Sequence, residues 1–131
     1  MIVVDASALS AFVLREEGWR DLAGYFAYAV APDHVVKEVA NAVWKAARTG
    51  TLTGQEARKA LSLLLRMVGG NLLLEPELKY LEKAFEISLA YSVTVYDALY
   101  IALALEKSLP LLTLDKEQRR VAGALGVRVK P

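Results

Sequence analysis

Four acidic residues lie where carboxylates can carry out chemistry. Asp5 directly follows the apolar run over residues 2–4, and Asp115 follows the one over residues 111–114. Glu38 lies in VVKEVANAVWK and Asp97 in VYDALYIALALE. Carboxylates brought together repel one another without a counter-ion, and oxygen ligands suit the hard cations Mg²⁺ and Mn²⁺. Because such a site leaves positions open to water, these residues predict metal-dependent phosphodiester hydrolysis.

Each acid also has an ordinary structural interpretation. Asp5 and Asp115 are placed to cap the helices that follow them, and Asp97 lies three residues after Thr94, the spacing of a capping box. Glu38, taken alone, has the pattern of a solvated charge on a helix surface. These interpretations stay open from the sequence, since Asp and Glu are favoured near helix starts.

The surroundings of Glu38 and Asp97 favour a common site over four independent caps. Glu38, Asn41 and Lys45 share one stripe, at i, i+3 and i+7, of a helix that is otherwise apolar. Asp97 is embedded in a nearly continuous apolar helix, where a carboxylate is costly without a partner.

Short apolar strands alternate with helical patterns along the chain, which predicts an α/β fold with a parallel sheet of about five strands. The predicted strands cover residues 2–4, 29–31, 72–74, 111–114 and 127–129. The predicted helices cover residues 6–14, 17–28, 33–49, 53–68, 77–91, 95–107 and 116–125. If the strand order is 3-2-1-4-5, the strands before Asp5 and Asp115 are neighbours at the switch point where open α/β sheets form their sites.

Composition narrows the classes of function. The chain has 131 residues and a mass of 14.3 kDa, which predicts one domain over residues 1–131. It has no cysteine, which excludes a disulfide scaffold and thiol chemistry, and the single His34 argues against a His-rich metal site. We expect His34 at the surface or capping a helix. The net charge of +1 predicts no strong non-specific attraction to nucleic acid, but it leaves room for a local basic groove.

Nothing in the sequence has the pattern of a membrane span or a signal peptide. Its apolar runs are far shorter than the roughly 18–20 residues that a span needs, and no basic region precedes the first of them. We therefore expect a cytoplasmic protein.

At its acidic motifs the sequence resembles the PIN-domain ribonucleases, above all the VapC-type toxins of prokaryotic toxin–antitoxin pairs. The resemblance covers the whole chain. Its four motifs, in order, are IVVDASAL with Asp5 and Ser7, EVANAVWK with Glu38 and Asn41, VYDALYIALA with Asp97, and LLTLDKE with Thr113 and Asp115.

The resemblance implies an α/β/α sandwich and an Mg²⁺- or Mn²⁺-dependent endoribonuclease that forms a homodimer and is blocked by a cognate antitoxin. It assigns metal binding and catalysis to the four acids, with Asp115 held most loosely, directly or through water. It places Ser7, Asn41 and Thr113 beside them around the cofactor.

Other residues carry weaker predictions. Basic side chains that follow Glu38 and Asp115 are candidates for contacts with phosphate, or else an ordinary solvated surface: Lys45, Arg48, Lys116, Arg119 and Arg120. The apolar segments 61–67 and 96–105 are candidates for a surface buried by dimerisation, with tightly packed core as the alternative.

Three other functions share some of these features. A phosphoacceptor receiver domain also has acids at strand ends, but it needs paired acids where Asp5 is followed by Ala6 and Ser7, and an acceptor Asp where this chain has Glu75. A PIN-like binding module without catalysis is the second alternative. A nuclease for structured DNA is the third, although this compact chain lacks the extra acids and insertions that those enzymes carry.

Overall fold

The computed structural model describes residues 1–131 and places five parallel strands in one sheet flanked by helices. The strands are β1 (Ile2–Val4), β2 (Ala29–Pro32), β3 (Leu72–Glu75), β4 (Leu111–Leu112) and β5 (Val129–Lys130). The helices are α1 (Ala6–Val13), α2 (Trp19–Leu22), α3 (Val35–Arg48), α4 (Gly54–Met67), α5 (Leu81–Tyr91), α6 (Val95–Lys107) and α7 (Lys116–Ala124). Two 3₁₀ helices cover Ala23–Ala27 and Glu77–Tyr80. The predicted α/β fold is confirmed.

The sheet order is β3-β2-β1-β4-β5, with Val3 in register with Val30 on one side and Leu111 on the other. Because crossovers between parallel strands are right-handed, α1–α4 cover one face and α5–α7 the other, which makes a three-layer α/β/α sandwich. The order reverses between β1 and β4, as expected. It differs from the 2-1-3-4-5 order of CheY-like folds, so the receiver-domain alternative is wrong.

The core corrects one expectation about dimerisation. Helix α6 carries buried residues at every position from Ala98 to Ala104 and packs against the sheet and α5. A helix that is apolar all round is buried, so residues 98–104 are core and not a dimer surface, whereas Tyr96 at the start of α6 is 63% exposed. The other segment predicted as a dimer surface, residues 61–67, does present apolar side chains to solvent, since Leu61 and Leu65 are 38% and 56% exposed.

Several element boundaries differ from the predictions. The helix predicted over residues 17–28 is the short α2 followed by a 3₁₀ helix, at a segment weakened by Gly24. The helix predicted from residue 77 begins as a 3₁₀ turn, and α5 starts at Leu81. The strand predicted over residues 111–114 ends at Leu112.

The start of α3 also differs from its prediction. His34, not Asp33, occupies the N-cap position, and its side chain makes no capping bond. The Asp33 carboxylate instead accepts a hydrogen bond from the Glu77 N–H at 3.1 Å. Asp33 therefore caps the 3₁₀ turn before α5 and ties it to the start of α3.

None of the helices alone has the length and apolar character of a membrane span. Glu77–Tyr91 and Val95–Lys107 reach that length and composition only when taken together, and they are bent by 115° relative to each other.

Candidate active site

Asp5 lies at the carboxyl end of β1 and is almost completely buried, with 3% of its surface exposed. Its Oδ1 accepts hydrogen bonds from the Ala8 N–H at 3.0 Å and the Ser7 hydroxyl at 2.7 Å. Its Oδ2 accepts one from the Thr113 hydroxyl. Burial raises the pKa of Asp5, and these hydrogen bonds only partly offset it. Asp5 thus caps α1 and also faces the switch point of the sheet.

The hydroxyls of Ser7 and Thr113 join the ends of β1 and β4 around Asp5. Ser7 Oγ accepts a hydrogen bond from the Leu114 N–H at 2.9 Å, and Thr113 Oγ1 accepts one from the Asp115 N–H at 3.0 Å. The two oxygens lie 3.3 Å apart. Because each hydroxyl donates its one proton to Asp5, both side chains serve to orient that carboxylate.

Asp115 follows β4 and is exposed at the start of α7. One carboxylate oxygen, Oδ1, accepts a hydrogen bond from the Gln118 N–H at 2.8 Å, so the capping interpretation is also correct. The second oxygen stays free for another ligand. The negative charge of Asp115 acts on Asp5, because it contributes to raising the pKa of the Asp5 carboxyl group.

Glu38 projects from the first turn of α3 and is partly buried. Its Oε1 accepts a hydrogen bond from the Tyr100 hydroxyl at 2.7 Å and lies 3.0 Å from His34 Nε2. Burial acts to raise the pKa of Glu38, but these two contacts and the charge of His34 outweigh it, so the pKa lies below its usual value.

Asp97 carries the least compensated charge. Its backbone N–H donates to the capping hydroxyl of Thr94 at 3.2 Å. Its carboxylate has no basic partner, and the one hydrogen bond that lowers its pKa, from the Thr94 side chain, is the weakest influence on it. Burial is the largest cause, followed by the charges of Asp115, Glu38 and Asp5 in that order, and together they raise its pKa to about 6. All four acids therefore face one region at the carboxyl edge of the sheet.

No lysine or arginine balances this cluster. The charges that act on the pKa of Asp5, Glu38 and Asp97 come from one another, from Asp115 and from His34. An all-oxygen donor set of mutually repelling groups fits a hard divalent cation. Yet no group of three or more acidic or histidine side chains is arranged to hold one directly. A cation would therefore bind partly through water, or after the carboxylates turn towards it.

The other polar residues expected at the site are less closely tied to it. Asn41 is exposed, and its side chain makes no hydrogen bond. Arg119 donates to the Thr113 carbonyl at 3.2 Å, and Arg120 pairs with Glu117. Lys45 and Lys116 are exposed and have no ion-pair partner. Arg48 stacks on the ring of Trp44, with 5.5 Å between the guanidinium carbon and the ring centroid.

The sequence pattern matches a known family. The PIN domain family model covers residues 2–124. The chain belongs to the PIN-domain family. It is 38% identical over 119 residues to "Ribonuclease VapC3" of Pyrobaculum aerophilum, which covers 88% of this chain and 90% of that protein. It is 35% identical over 97 residues to "Ribonuclease VapC1" of Mycobacterium tuberculosis, covering 74% and 68%. The predicted resemblance to VapC-type PIN domains is confirmed.

Two solved structures share the fold. PAE2754 from Pyrobaculum aerophilum superposes with a TM-score of 0.74 at 26% identity and covers 98% of this chain and 82% of its own. FitAcB from Neisseria gonorrhoeae has a TM-score of 0.64 at 18% identity, covers 100% and 97%, and bears on the fold alone.

Sequence reasoning missed two residues of this PIN domain's acidic site. His34 was expected at the surface or as a cap, yet it is only 4% exposed and contacts Glu38. Tyr100 lies in the segment 96–105, which the sequence predicts as a dimer surface or packed core, yet its hydroxyl bonds to Glu38. The i, i+4 spacing of His34 and Glu38 was the signal for the first contact, because such pairs meet on one helix face. No local sequence pattern indicated the contact between Tyr100 and Glu38.

Proposed function

We propose that this PIN domain, spanning residues 1–131 as one domain, is an Mg²⁺- or Mn²⁺-dependent endoribonuclease and the toxin of a toxin–antitoxin pair. The observation that carries the proposal is the Asp97 carboxylate, which has no basic partner and lies within the field of three other acids. A partly buried charge in such surroundings is stabilised by a cation. The curated relatives, both called ribonucleases, support RNA as the substrate.

In this proposal, Asp5, Glu38 and Asp97 hold the cation, and Asp115 reaches it directly or through water. A bound ion would lower the pKa of water and neutralise charge on the scissile phosphate. Ser7 and Thr113 hold Asp5 in one orientation through both of its oxygens. Asp115 keeps one oxygen for its helix cap and turns the other to the site.

The basic residues with no partner in the protein extend the site towards RNA. Lys45 on α3 and Lys116 at the start of α7 follow Glu38 and Asp115 along their elements. We assign them to phosphate contacts, since free cations supply most of the affinity for a nucleic-acid backbone. Asn41 lies on the same stripe of α3 and contributes a polar contact there.

The antitoxin that the resemblance implies blocks the acidic site, and we expect it to be anchored in a groove between α1 and α4. The groove has a volume of about 890 Å³ and an apolar floor that includes Leu14 and Leu63. Basic side chains dominate its rim: Arg15, Arg58, Lys59 and Arg66. An acidic amphipathic segment complements such a surface. Leu63→Glu should weaken binding of the cognate antitoxin and leave RNA cleavage by the free toxin intact.

A homodimer is expected through the outer face of α5 and of the 3₁₀ turn that precedes it. Four apolar side chains follow one another there at i, i+3, i+7 and i+11. They are Leu78, Leu81, Phe85 and Leu89, which are 77%, 39%, 52% and 66% exposed. An apolar stripe of this kind marks an interaction surface, and the occupant that the family resemblance implies is a second copy of the chain.

Cleavage of a mixed-sequence single-stranded RNA tests the proposed activity. The purified chain would be assayed with Mg²⁺, with Mn²⁺ and with EDTA, beside Asp97→Asn and Asp5→Asn. Asp21→Asn is the matched control, because Asp21 is exposed on α2 and lies outside the acidic site. We expect cleavage with metal only, unchanged in Asp21→Asn and at least about 100-fold slower in the two site variants, as when a transition-state stabiliser is removed.

The alternative is a binding module without catalysis, and the lack of three acids arranged around one point favours it. Calorimetric titration with Mn²⁺ separates the two functions. If the chain neither cleaves RNA nor binds Mn²⁺, it is a binding module. If it binds Mn²⁺ through Asp97 but does not cleave this RNA, it is a nuclease for a more selective substrate.

A further inference from the structure

His34 lies between the two helices that carry Glu38 and Asp97. It precedes α3 and is 4% exposed. Its Nε2 lies 3.0 Å from Glu38 Oε1 and 3.1 Å from the carbonyl oxygen of Tyr96, at the start of α6. Both neighbours are acceptors, so Nε2 carries the hydrogen and donates to them. One ring nitrogen thus links the first turn of α3 to the first turn of α6.

The same oxygen of Glu38 has a second donor. The Tyr100 hydroxyl bonds to Oε1 at 2.7 Å, and no protein group bonds to Oε2. The rings of His34 and Tyr100 pack together with 4.7 Å between centroids, so each limits the movement of the other. Glu38 is therefore held by Oε1, and Oε2 has no donor within the protein.

The rest of the His34 ring has no competing role. Nδ1 is buried, makes no hydrogen bond and lies 3.9 Å from Glu77 Oε2, beyond hydrogen-bonding distance. The side chain also makes no bond to the backbone of its own helix. Its contacts within hydrogen-bonding distance are thus the carboxylate of Glu38 and the backbone next to Asp97.

We propose that His34 is a positioning residue that, together with Tyr100, fixes Glu38 Oε1 so that Oε2 is presented to the divalent cation shared with Asp97. This inference rests on the proposed metal-dependent function and deepens it. His34 acts through Glu38 and touches neither cation nor RNA. Partners that orient a ligand in this way typically contribute 10–100-fold to metal affinity.

Two amide substitutions test the role of the Nε2 donor. His34→Gln places an amide N–H near the position of Nε2, whereas His34→Asn has the same chemistry but falls short of Glu38. Mn²⁺ affinity of the full chain, measured by calorimetry, should stay within a few-fold of wild type in His34→Gln. It should fall by about 10–100-fold in His34→Asn. Equal affinities in the two variants would overturn the inference.

A double-mutant cycle with Glu38→Gln excludes a merely structural role. If His34 acts through Glu38, His34→Asn should have no further effect on Mn²⁺ affinity once Glu38 is replaced. The same loss in both backgrounds would mean that His34 only supports the fold, and thermal unfolding of each variant would show that loss directly. Tyr100→Phe offers a second route, because it removes the other donor to the same oxygen. Failure of the wild-type chain to bind Mn²⁺ would refute the proposed function itself, whereas binding that is indifferent to His34 refutes only this inference.

Discussion

The hydroxyl of Thr113 donates a hydrogen bond to the carboxylate of Asp5, from a position 108 residues further along the chain. The bond joins the carboxyl ends of β4 and β1 at the switch point of the sheet. Asp5 is only 3% exposed, so water cannot readily replace this donor. Thr113 therefore contributes both to the stability of the fold and to the orientation of a site carboxylate.

Thr113→Val keeps the shape of the side chain and removes its hydroxyl. The free energy of unfolding should fall by about 1–3 kcal/mol, because a buried acceptor is left unsatisfied. Urea unfolding measures the loss. Thr113→Ser is the matched control, since it keeps the donor, and it should lose less stability. If both variants unfolded at the same urea concentration, the hydrogen bond to Asp5 would not be the cause.

Asp97 should make the metal-free protein less stable as the pH rises. Its pKa is raised from 3.8 to about 6 in the folded chain. Between these values the folded state binds more protons than the unfolded state, so the contribution of Asp97 to the free energy of unfolding falls as the pH rises through this window. Above about pH 6 the full penalty is present.

Asp97→Asn removes this penalty. In EDTA, the variant should gain stability relative to wild type between pH 4 and pH 7, with the larger difference at pH 7. Urea unfolding at both pH values, with Asp21→Asn as the control, measures the effect. A difference that is constant with pH would show that Asp97 titrates as an ordinary exposed acid.

The positions of the acids at the strand ends were predictable because they depend on local patterns. Asp5 and Asp115 each follow an apolar run and precede a helix, and parallel strands bring such ends to one edge of the sheet. The capping interpretation of Asp5 and Asp115 is correct, and each cap uses one oxygen of the carboxylate, so the site interpretation stays a prediction beside it.

The features that the sequence did not predict depend on long-range packing. Asp33 looks like the cap of α3, but its carboxylate bonds to Glu77, which is 44 positions away. The apolar segment 96–105 is consistent with either a core helix or an interface, and only its packing between the sheet and α5 distinguishes them. The burial of His34 follows from the same packing of α6 against the start of α3.

Gln118 offers a test of the core beneath the site. Its side chain is completely buried in α7, and neither its amide nitrogen nor its amide oxygen has a hydrogen-bond partner. Gln118→Met has a similar shape and no unsatisfied polar atoms, so it should raise the free energy of unfolding by about 1 kcal/mol. Urea unfolding would show this as a higher midpoint. A lower midpoint would mean that the amide has partners in solution.

Lys45 and Lys116 should contribute to RNA affinity through phosphate contacts. Each alanine variant, made in the Asp97→Asn background and measured by fluorescence anisotropy in EDTA, should weaken binding and reduce the salt dependence. The slope of log K against log salt should fall by about 0.7 per lost contact for a single strand. Lys83→Ala is the control, because Lys83 lies on α5 and pairs with Glu106 at 3.7 Å. An unchanged slope in Lys45→Ala or Lys116→Ala would place that lysine outside the RNA path.

The exposed face of α5 should control the oligomeric state. Phe85 is 52% exposed within its apolar stripe, so Phe85→Glu introduces a charge at the centre of the expected interface. Sedimentation velocity should show a dimer for wild type and a monomer for the variant. Leu65→Glu is the matched control, because Leu65 is 56% exposed on α4 and lies in the segment that the sequence suggested for dimerisation. A monomer from Leu65→Glu alone would assign the interface to α4, since burying a charge disrupts association only where the surface is covered.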